Sequence, residues 1–239
     1  MSSSSSFRLL DQVMAWFVVI LVTSNIASAA KIVDLGFSIA GFRLAFDGGT
    51  ILFPLSYIIG DILTEVYGFR QSRKVIWTGF AALAVSAGVF ALLRALPGEA
   101  GWESYAGSAA YDAILGGVSS GGIVLASLVA YFCGEFANSA VLSRLKIRTE
   151  GRFLWLRTMG STIVGQALDT LVFIGVATLA GVFTKDLFIT LVVSNYLFKC
   201  AVEFLFTPLT YFVVKKLKQA EGIDSFDRGV RLNPFAFKD

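Results

Sequence analysis

The chain has 239 residues, of which 56 % are hydrophobic and only 15 % are charged, and its mean hydropathy is +0.73. This is too little charge for a water-facing exterior, and the absence of histidine excludes histidine-based catalysis, metal ligation and pH sensing. Cys133 and Cys200 both lie in apolar runs, so they predict buried thiols and neither a disulfide nor a metal site.

Six long apolar stretches follow one another along the chain, separated by short polar segments. A helix needs roughly 20 mostly apolar residues to cross the hydrocarbon layer, and lipid offers the backbone no hydrogen-bonding partner. The sequence therefore predicts an all-α integral membrane protein, a single domain over 1–239 that forms a bundle of six transmembrane helices. The predicted spans are about 12–33, 50–68, 73–95, 119–143, 158–182 and 187–214.

Basic residues are concentrated in every second connection and after the last span. They are Arg70, Arg73 and Lys74 after the second span, Arg144, Lys146, Arg148, Arg152 and Arg157 after the fourth, and Lys215, Lys216 and Lys218 after the sixth. Cytoplasmic loops of membrane proteins carry such an excess of lysine and arginine. We therefore expect a multi-pass protein of the cell inner membrane, with both termini cytoplasmic and a cytoplasmic tail over 215–239.

The connection between the third and fourth spans, residues 98–117, is longer than a turn and mixes aromatic with acidic residues. This composition is typical of a helix that lies at the membrane interface, and a lid over a cavity is the alternative.

Polar side chains recur within the predicted spans, where they are costly and normally face a bundle interior or a water-filled cavity. Within a helix many are three or four residues apart, as Asp61 and Glu65 are, so they share a face. The third span has no such group and is expected to lie outside the others. The polar set is Ser24, Asn25, Ser28, Tyr57, Asp61, Thr64, Glu65, Tyr131, Glu135, Asn138, Gln166, Asp169, Asn195, Lys199 and Glu203. This pattern predicts one polar cavity that binds a small polar solute.

The acids in this set outnumber the single lysine, Lys199. Some must be protonated or paired with arginines such as Arg70, Arg144 or Arg157. We expect Glu135, Asn138, Gln166 and Asp169 to contact the solute. Asp61, Glu65, Lys199, Glu203 and Arg157 are assigned to a coupling or charge network, with interhelical contacts as the alternative role for Glu65, Lys199 and Glu203.

An enzymatic interpretation rests on the string Gly117-Val-Ser-Ser-Gly121, which matches the Gly-x-Ser-x-Gly pattern of serine hydrolases. Ser119 would need a base, and without histidine it has no ordinary partner. Close helix packing explains both glycines. The chain also has no Gly-x-x-x-x-Gly-Lys-Ser/Thr phosphate loop. We therefore predict no enzyme, no cofactor and no metal.

Four strings carry a family resemblance: Phe53–Gly68 (FPLSYIIGDILTEVYG), Gly134–Ser139 (GEFANS), Leu154–Asp169 (LWLRTMGSTIVGQALD) and Asp227–Phe235 (DRGVRLNPF). In this order they resemble the queuosine precursor transporter family. That family is also grouped as vitamin uptake transporters and is related to the substrate-binding subunits of energy-coupling factor importers. The resemblance runs from about Ser24 into the tail.

The resemblance implies a six-helix bundle that imports 7-deazaguanines, namely queuine or its 7-cyano and 7-aminomethyl precursors, for salvage into tRNA. A carboxylate accepts the N1 hydrogen and exocyclic amine of such a base side by side, a role that suits Glu135 or Asp169. Asn138 or Gln166 would donate to O6. Phe53, Tyr57, Tyr131 or Phe173 would stack on the ring, and Ser24 and Asn25 would complete the rim.

Alternatives remain open at the level of sequence: a transporter of another vitamin-like or nucleobase solute, or a non-transporting membrane scaffold subunit. Energy coupling is equally open, with protons acting through Asp61 or Glu65, sodium, and facilitated entry as the choices. An energising ATPase partner is less favoured, a homodimer through glycine-rich helix faces is an option, and no nucleic-acid partner is expected.

Overall fold

The computed structural model describes residues 7–39, 42–119, 121–181 and 184–236. Helices dominate it: α1 (Leu10–Ala30), α2 (Phe53–Tyr67), α3 (Phe69–Ala95), α4 (Ala100–Tyr105), α5 (Gly107–Ser119), α6 (Gly121–Arg148), α7 (Leu154–Leu179) and α8 (Phe188–Glu221). Short 3-10 turns, Gly48–Ile51 and Lys185–Leu187, precede α2 and α8.

A β-hairpin follows α1, which the sequence interpretation did not anticipate. Strands β1 (Ile32–Ile39) and β2 (Phe42–Asp47) pair antiparallel, with Ile32 opposite Asp47 at the base and an irregularity between Asp34 and Ser38. The hairpin begins inside the predicted first span, which therefore ends earlier than expected. We call the end of the bundle that carries this hairpin the hairpin end.

Both described chain ends lie at the opposite end of the bundle, which we call the terminal end. The backbone N–H groups of Arg8 and Leu9 donate to the Glu221 carboxylate at 3.0 and 2.6 Å, so the start of α1 contacts the end of α8.

Five helical segments of the described chain are long and apolar enough to cross a membrane: 10–30, 69–95, 107–148, 154–179 and 191–221. Large apolar side chains such as Leu179, Phe204 and Leu205 are exposed along them, as lipid contact requires. The chain is thus a multi-pass helical membrane protein. The count of six full spans is not confirmed, because the predicted span 50–68 is a 3-10 turn followed by the 15-residue α2. Such a helix is about 22 Å long.

Helix α2 is the central helix of the bundle. It contacts α1, α3, α6 and α8, and almost every residue from Ser56 to Tyr67 is buried. Pro54 occupies the first turn, where its missing N–H costs nothing, and Gly68 ends the helix with a φ of 83° that other residues rarely adopt. A helix surrounded by other helices can carry Tyr57, Asp61 and Glu65 because those side chains face protein instead of lipid.

Helix α3 differs from its predicted position. Helix α3, expected outside the bundle, packs against α1, α2 and α6, and three of its side chains, Leu83, Ser86 and Phe90, line the cavity described below. The connection 98–117 forms α4 and α5, and α5 packs against α1 and α3. Arg94 of α3 binds Asp112 of α5 through both carboxylate oxygens, at 2.7 and 3.2 Å.

Candidate functional site

A cavity of about 510 Å³ lies in the half of the bundle nearer the hairpin end. Helices α1, α2, α3, α6, α7 and α8 all contribute to its wall, together with the last residues of α5. Its volume is in the usual range for small-molecule sites. The predicted polar residues that line it are Asn25, Ser28, Tyr57, Tyr131, Glu135, Asp169, Asn195 and Lys199.

Glu135 is the unusual group in this cavity. Its side chain is 0 % exposed to solvent, and neither of its carboxylate oxygens hydrogen-bonds another described residue. Gly60 of α2 makes room for it, because a Cβ at that position would lie 2.8 Å from Glu135 Oε2. A buried carboxylate without partners is expensive, and donors on a bound solute would remove part of that cost.

Asp169 and Lys199 neutralise each other across the cavity wall. Lys199 Nζ lies 2.7 Å from Asp169 Oδ2, and both side chains are partly exposed to the cavity. The ammonium group also lies 5.6 Å from the centre of the Phe53 ring. Asp169 is therefore already paired, and among the cavity acids Glu135 is the unpaired one.

Aromatic rings supply the flat surfaces of the cavity. Phe53, Tyr57, Tyr131 and Phe173 all contribute to its lining. The Tyr131 hydroxyl donates to the Ile76 carbonyl oxygen at 3.0 Å, which fixes its ring, whereas the Tyr57 hydroxyl has no hydrogen-bond partner among the described residues. Asn25, near the rim, donates its amide to the Leu21 carbonyl oxygen at 2.9 Å.

Asn138 and Gln166, expected to contact the solute, do not line the cavity. They belong to a layer of polar side chains beneath it, which we call the floor layer: Asp61, Asn138, Ser161, Thr162, Gln166 and Glu203. In this layer Asn138 Nδ2 donates to Asp61 Oδ1 at 2.7 Å, and the Thr162 hydroxyl donates to Glu203 Oε1 at 2.5 Å. Asn138 and Gln166 thus lie on the interior helix faces that their spacing predicted, one turn from the residues that line the cavity.

Two glycines let α6 and α7 approach closely beside the cavity. A Cβ on Gly134 would lie 2.8 Å from Asp169 Cβ and 2.6 Å from the Tyr57 hydroxyl oxygen, and a Cβ on Gly165 would lie 2.8 Å from Asn138 Cβ. Small residues at helix contacts are typical of membrane bundles. Both glycines lie within the strings that carry the family resemblance. Membership of those strings was the one indication in the sequence that these glycines matter.

Glu65 lies at the terminal end in what we call the ion-pair cluster: Glu65, Lys146, Arg157, Lys218 and Asp224. Arg157 binds both Glu65 oxygens at 2.8 and 3.2 Å, and Lys218 Nζ lies 2.7 Å from Glu65 Oε1. Lys146 Nζ lies 3.6 Å from the same oxygen and 2.5 Å from Asp224 Oδ1. Arg157 was one of the arginines expected to pair with a buried acid, but no local pattern indicated that Lys146, Lys218 and Asp224 would lie beside Glu65.

Asp224 belongs to the segment that follows α8. Burial alone would raise the pKa of its carboxyl, but the hydrogen bonds from Lys146 and Lys218 outweigh burial and lower that pKa below its ordinary value. Asp224 is therefore held as an anion in the cluster.

The segment after α8 folds back onto the terminal end of the bundle. Asp227 accepts from the Phe69 backbone N–H at 2.9 Å and from the Ser143 hydroxyl at 2.7 Å. Trp77 Nε1 donates to the Pro234 carbonyl oxygen at 2.9 Å, and an Arg73 N–H donates to the Asn233 carbonyl oxygen at 3.1 Å. The string DRGVRLNPF thus forms a strap against α3 and α6.

Ser119, the candidate nucleophile of the Gly-x-Ser-x-Gly string, makes a local hydrogen bond. Its hydroxyl donates to the Leu115 carbonyl oxygen at 3.0 Å, within its own helix. Over the ranges that the structure describes, no three histidine, cysteine or acidic side chains lie close enough together to hold a metal ion.

Comparison with known proteins identifies relatives over nearly the whole chain. The chain is 27 % identical over 230 residues to a protein named "Probable queuosine precursor transporter" from Bacillus subtilis (strain 168), covering 91 % of this chain and 98 % of the relative. It is 22 % identical over 215 residues to the "Queuosine precursor transporter" of Escherichia coli (strain K12), covering 89 % of each. A third relative, from Haemophilus influenzae, is 25 % identical over 169 residues, covering 70 % of this chain and 67 % of the relative.

No solved structure matches the chain significantly. The family model described as "Putative vitamin uptake transporter" matches residues 47–213, which include every cavity residue from α2 to α8 and the ion-pair residues Glu65, Lys146 and Arg157. These matches confirm the resemblance carried by the four strings, and the chain belongs to the vitamin uptake transporter family.

Proposed function

We propose that the protein imports queuosine precursors, the 7-deazaguanines queuine, 7-cyano-7-deazaguanine and 7-aminomethyl-7-deazaguanine, through the cell inner membrane. The observation that carries the proposal is Glu135, a fully buried carboxylate with two unpaired oxygens in an aromatic-lined cavity of about 510 Å³. The names of the relatives, which describe queuosine precursor transport, support the same substrate class.

The chemistry of the base complements this carboxylate. A 7-deazaguanine presents its N1 hydrogen and its exocyclic amine side by side, and a carboxylate accepts both in a bidentate arrangement. Asp169 suits this role less well because Lys199 already binds it at 2.7 Å. We therefore assign the recognition of the guanine edge to Glu135.

The remaining contacts follow from the cavity wall. We propose that Lys199 or the unpaired Tyr57 hydroxyl donates to O6 of the base, and that Phe53, Tyr57, Tyr131 and Phe173 stack on the ring. Asn25 would contact the substituent at the rim. Asn138 and Gln166 would act from the floor layer, without direct contact.

We also propose six membrane crossings with both termini in the cytoplasm. The contact of Arg8 and Leu9 with Glu221 supports an even number of crossings, because α1 then starts where α8 ends. Five long helices leave the segment 48–67 as the sixth crossing. The bias of basic residues supports the cytoplasmic side for the terminal end.

The test is uptake of labelled 7-cyano- and 7-aminomethyl-7-deazaguanine into liposomes that contain only the purified protein. We expect saturable uptake by the wild type, and binding about tenfold to a hundredfold weaker in Glu135→Gln, because a hydrogen bond to a charged group contributes about 1.5–3 kcal/mol. Glu150→Gln, an exposed acid at the terminal end, is the control. Since the liposomes hold no other protein, uptake would also exclude the need for an ATPase module.

A second ligand makes the assignment specific. 7-Deazahypoxanthine lacks the exocyclic amine, so the wild type should bind it more weakly than 7-deazaguanine, and Glu135→Gln should largely abolish that difference. Equal preference in the wild type and in Glu135→Gln would show that another residue reads the guanine edge. A wild type that takes up other nucleobases or vitamins but no 7-deazaguanine would support the alternative substrates, and one that takes up nothing would support a scaffold.

A further inference from the structure

The floor layer lies one helical turn below the cavity on four helices. On α2, Asp61 follows Tyr57 by four residues; on α8, Glu203 follows Lys199 by four; on α6 and α7, Asn138 and Gln166 are each three residues from a cavity acid. Residues at these spacings share a helix face. The layer therefore closes the cavity toward the terminal end, in direct line with the proposed substrate site.

This layer contains more hydrogen-bond acceptors than donors. Asn138 Oδ1, Gln166 Oε1 and Glu203 Oε2 are each buried without a hydrogen-bond partner among the described residues, and their side chains are 0 %, 1 % and 3 % exposed. All three atoms are oxygens that only accept. Each orphan acceptor in a low-dielectric interior is costly, and an added donor would remove that cost.

The layer also carries uncompensated acids. No ion pair between described residues includes Asp61, Glu135 or Glu203. Two or more ionised carboxylates so close together in a membrane interior would repel each other without a counter-charge. The titratable or charged groups that surround Asp61 and Glu203 are Tyr57 and Glu65 on α2, Glu135 on α6, Asp169 on α7, and Lys199 and Cys200 on α8.

The nearby cations do not neutralise Asp61 or Glu203, because each cation already binds another acid. Lys199 is bound to Asp169 at 2.7 Å, and Glu65 is saturated by Arg157 and Lys218. Glu65, one of the two residues for which the sequence suggested proton coupling, is thus held by cations on three other helices. Among the acids of the bundle interior, Glu203 lies in the floor layer and has an oxygen without a hydrogen-bond partner among the described residues. Asp61 lies in the same layer.

We propose that the floor layer is a proton-coupling site, in which Glu203 carries a transported proton and Asp61 tunes its binding through charge repulsion. The inference rests on the proposed transport function. The proton enters from the cavity side, forms an O–H bond at Glu203 Oε2, and leaves to water at the terminal end, so no other bond changes. The protonated Glu203 supplies the donor that the floor layer lacks and removes one negative charge.

Coupling to the substrate follows from the shared helices. Substrate bound at Glu135 satisfies the cavity acid, and a proton at Glu203 satisfies the floor acid one turn below. With both bound, Glu135 has hydrogen-bond donors and Glu203 is neutral, which lowers the cost of rearranging these helices in the membrane interior. With only one bound, the other acid keeps its unsatisfied oxygen atoms, which disfavours the rearrangement. The arrangement therefore predicts symport of one proton with each substrate molecule.

Liposomes that contain the purified protein provide the test. With the wild type, an acidic exterior should drive accumulation of labelled 7-cyano-7-deazaguanine, up to about tenfold per pH unit at one proton per substrate. Glu203→Gln keeps the acceptor for Thr162 but cannot ionise. It should exchange labelled for unlabelled substrate across the membrane without any gradient, yet lose the accumulation driven by the pH gradient. Glu150→Gln should retain both activities.

Exchange and accumulation together separate the two hypotheses. A wild type that neither binds nor exchanges the base would overturn the proposed function, whatever the gradient. A wild type that exchanges but ignores the pH gradient would overturn the proton site alone. A sodium gradient at constant pH that drives accumulation would also overturn it, because the coupled cation would then be sodium. Asp61→Asn provides a second variant if Glu203→Gln does not fold. It should exchange substrate, and its accumulation of substrate should depend on pH differently from that of the wild type. An unaltered pH dependence of accumulation would count against the proposal.

Discussion

Two fully buried glutamates, Glu65 and Glu135, stand in opposite halves of one bundle and have opposite surroundings. Glu65 lies at the terminal end, where Arg157, Lys146 and Lys218 approach it within 3.6 Å. Glu135 lies in the cavity near the hairpin end, and neither of its oxygens has a partner among the described residues. Burial therefore does not decide what a membrane carboxylate does.

Glu65 and Glu135 differ in whether cations from other helices already neutralise them. A carboxylate that already has its cations holds helices together, because removing it leaves buried positive charge. A buried carboxylate without protein partners lowers the stability of the empty protein and is retained when a ligand completes it. We infer that the terminal end stabilises the fold and that the cavity binds the solute, with the floor layer between the two.

Removing the charge at the terminal end should have the largest effect on stability. Glu65→Gln leaves Arg157, Lys146 and Lys218 with Asp224 as the remaining acid of the cluster, and loss of one partner of a buried pair costs about 3–5 kcal/mol. We expect a large drop in the thermal unfolding temperature in detergent and low membrane abundance. Glu135→Gln should unfold at or above the wild-type temperature. If the two variants are equally stable, the contrast between the regions is wrong.

The strap at the terminal end should contribute less. Asp227→Ala leaves the Phe69 N–H and the Ser143 hydroxyl without their acceptor, and an unsatisfied buried donor costs about 1–3 kcal/mol. Thermal unfolding should shift downward, and limited proteolysis after Glu221 should become faster. Asp186→Ala, at an exposed position, should change neither measurement. Unchanged proteolysis in Asp227→Ala would mean that other contacts hold the strap.

The smallest expected effect is the loss of substrate affinity when the Glu135 carboxylate is displaced. Gly60→Ala places a methyl group 2.8 Å from Glu135 Oε2, so the carboxylate must shift. We expect substrate binding to weaken about tenfold, the equivalent of one hydrogen bond to a charged group. Gly175→Ala is the control, because a Cβ there meets no heavy atom within 4 Å. Equal affinities for the two variants would show that Glu135 is not held in place by its contact with α2.

Several features were predictable from the sequence because they depend on local patterns. Apolar runs predicted α1, α3, α6, α7 and α8, and the three- and four-residue spacing of polar groups predicted which faces meet in the interior. Tyr57, Tyr131, Glu135, Asp169 and Lys199 indeed line one cavity. The four strings predicted the family, which the comparisons confirm.

Other features were not predictable because they depend on distant segments. The 15 residues of α2 resemble a span, yet the helix is short and enclosed, and only its neighbours reveal this. Helix α3 carries no ionisable group in its middle, so nothing local indicated that Leu83 and Phe90 line the cavity. The strap 227–235 mixes charged and apolar residues, and its role follows from contacts with α3 and α6 that lie far away in sequence.

The amino-acid sequence by itself determined that this chain is a helical membrane protein with a polar interior, because hydropathy and periodicity are properties of neighbouring residues. It could not determine which acids are paired. Asp61, Glu65, Glu135, Asp169 and Glu203 are equivalent as sequence, and only the tertiary structure assigns cations to Glu65 and Asp169 while leaving Glu135 and Glu203 with unpaired oxygens. The physical reason is that the energy of a buried charge depends on groups within a few ångströms, and those groups come from other helices.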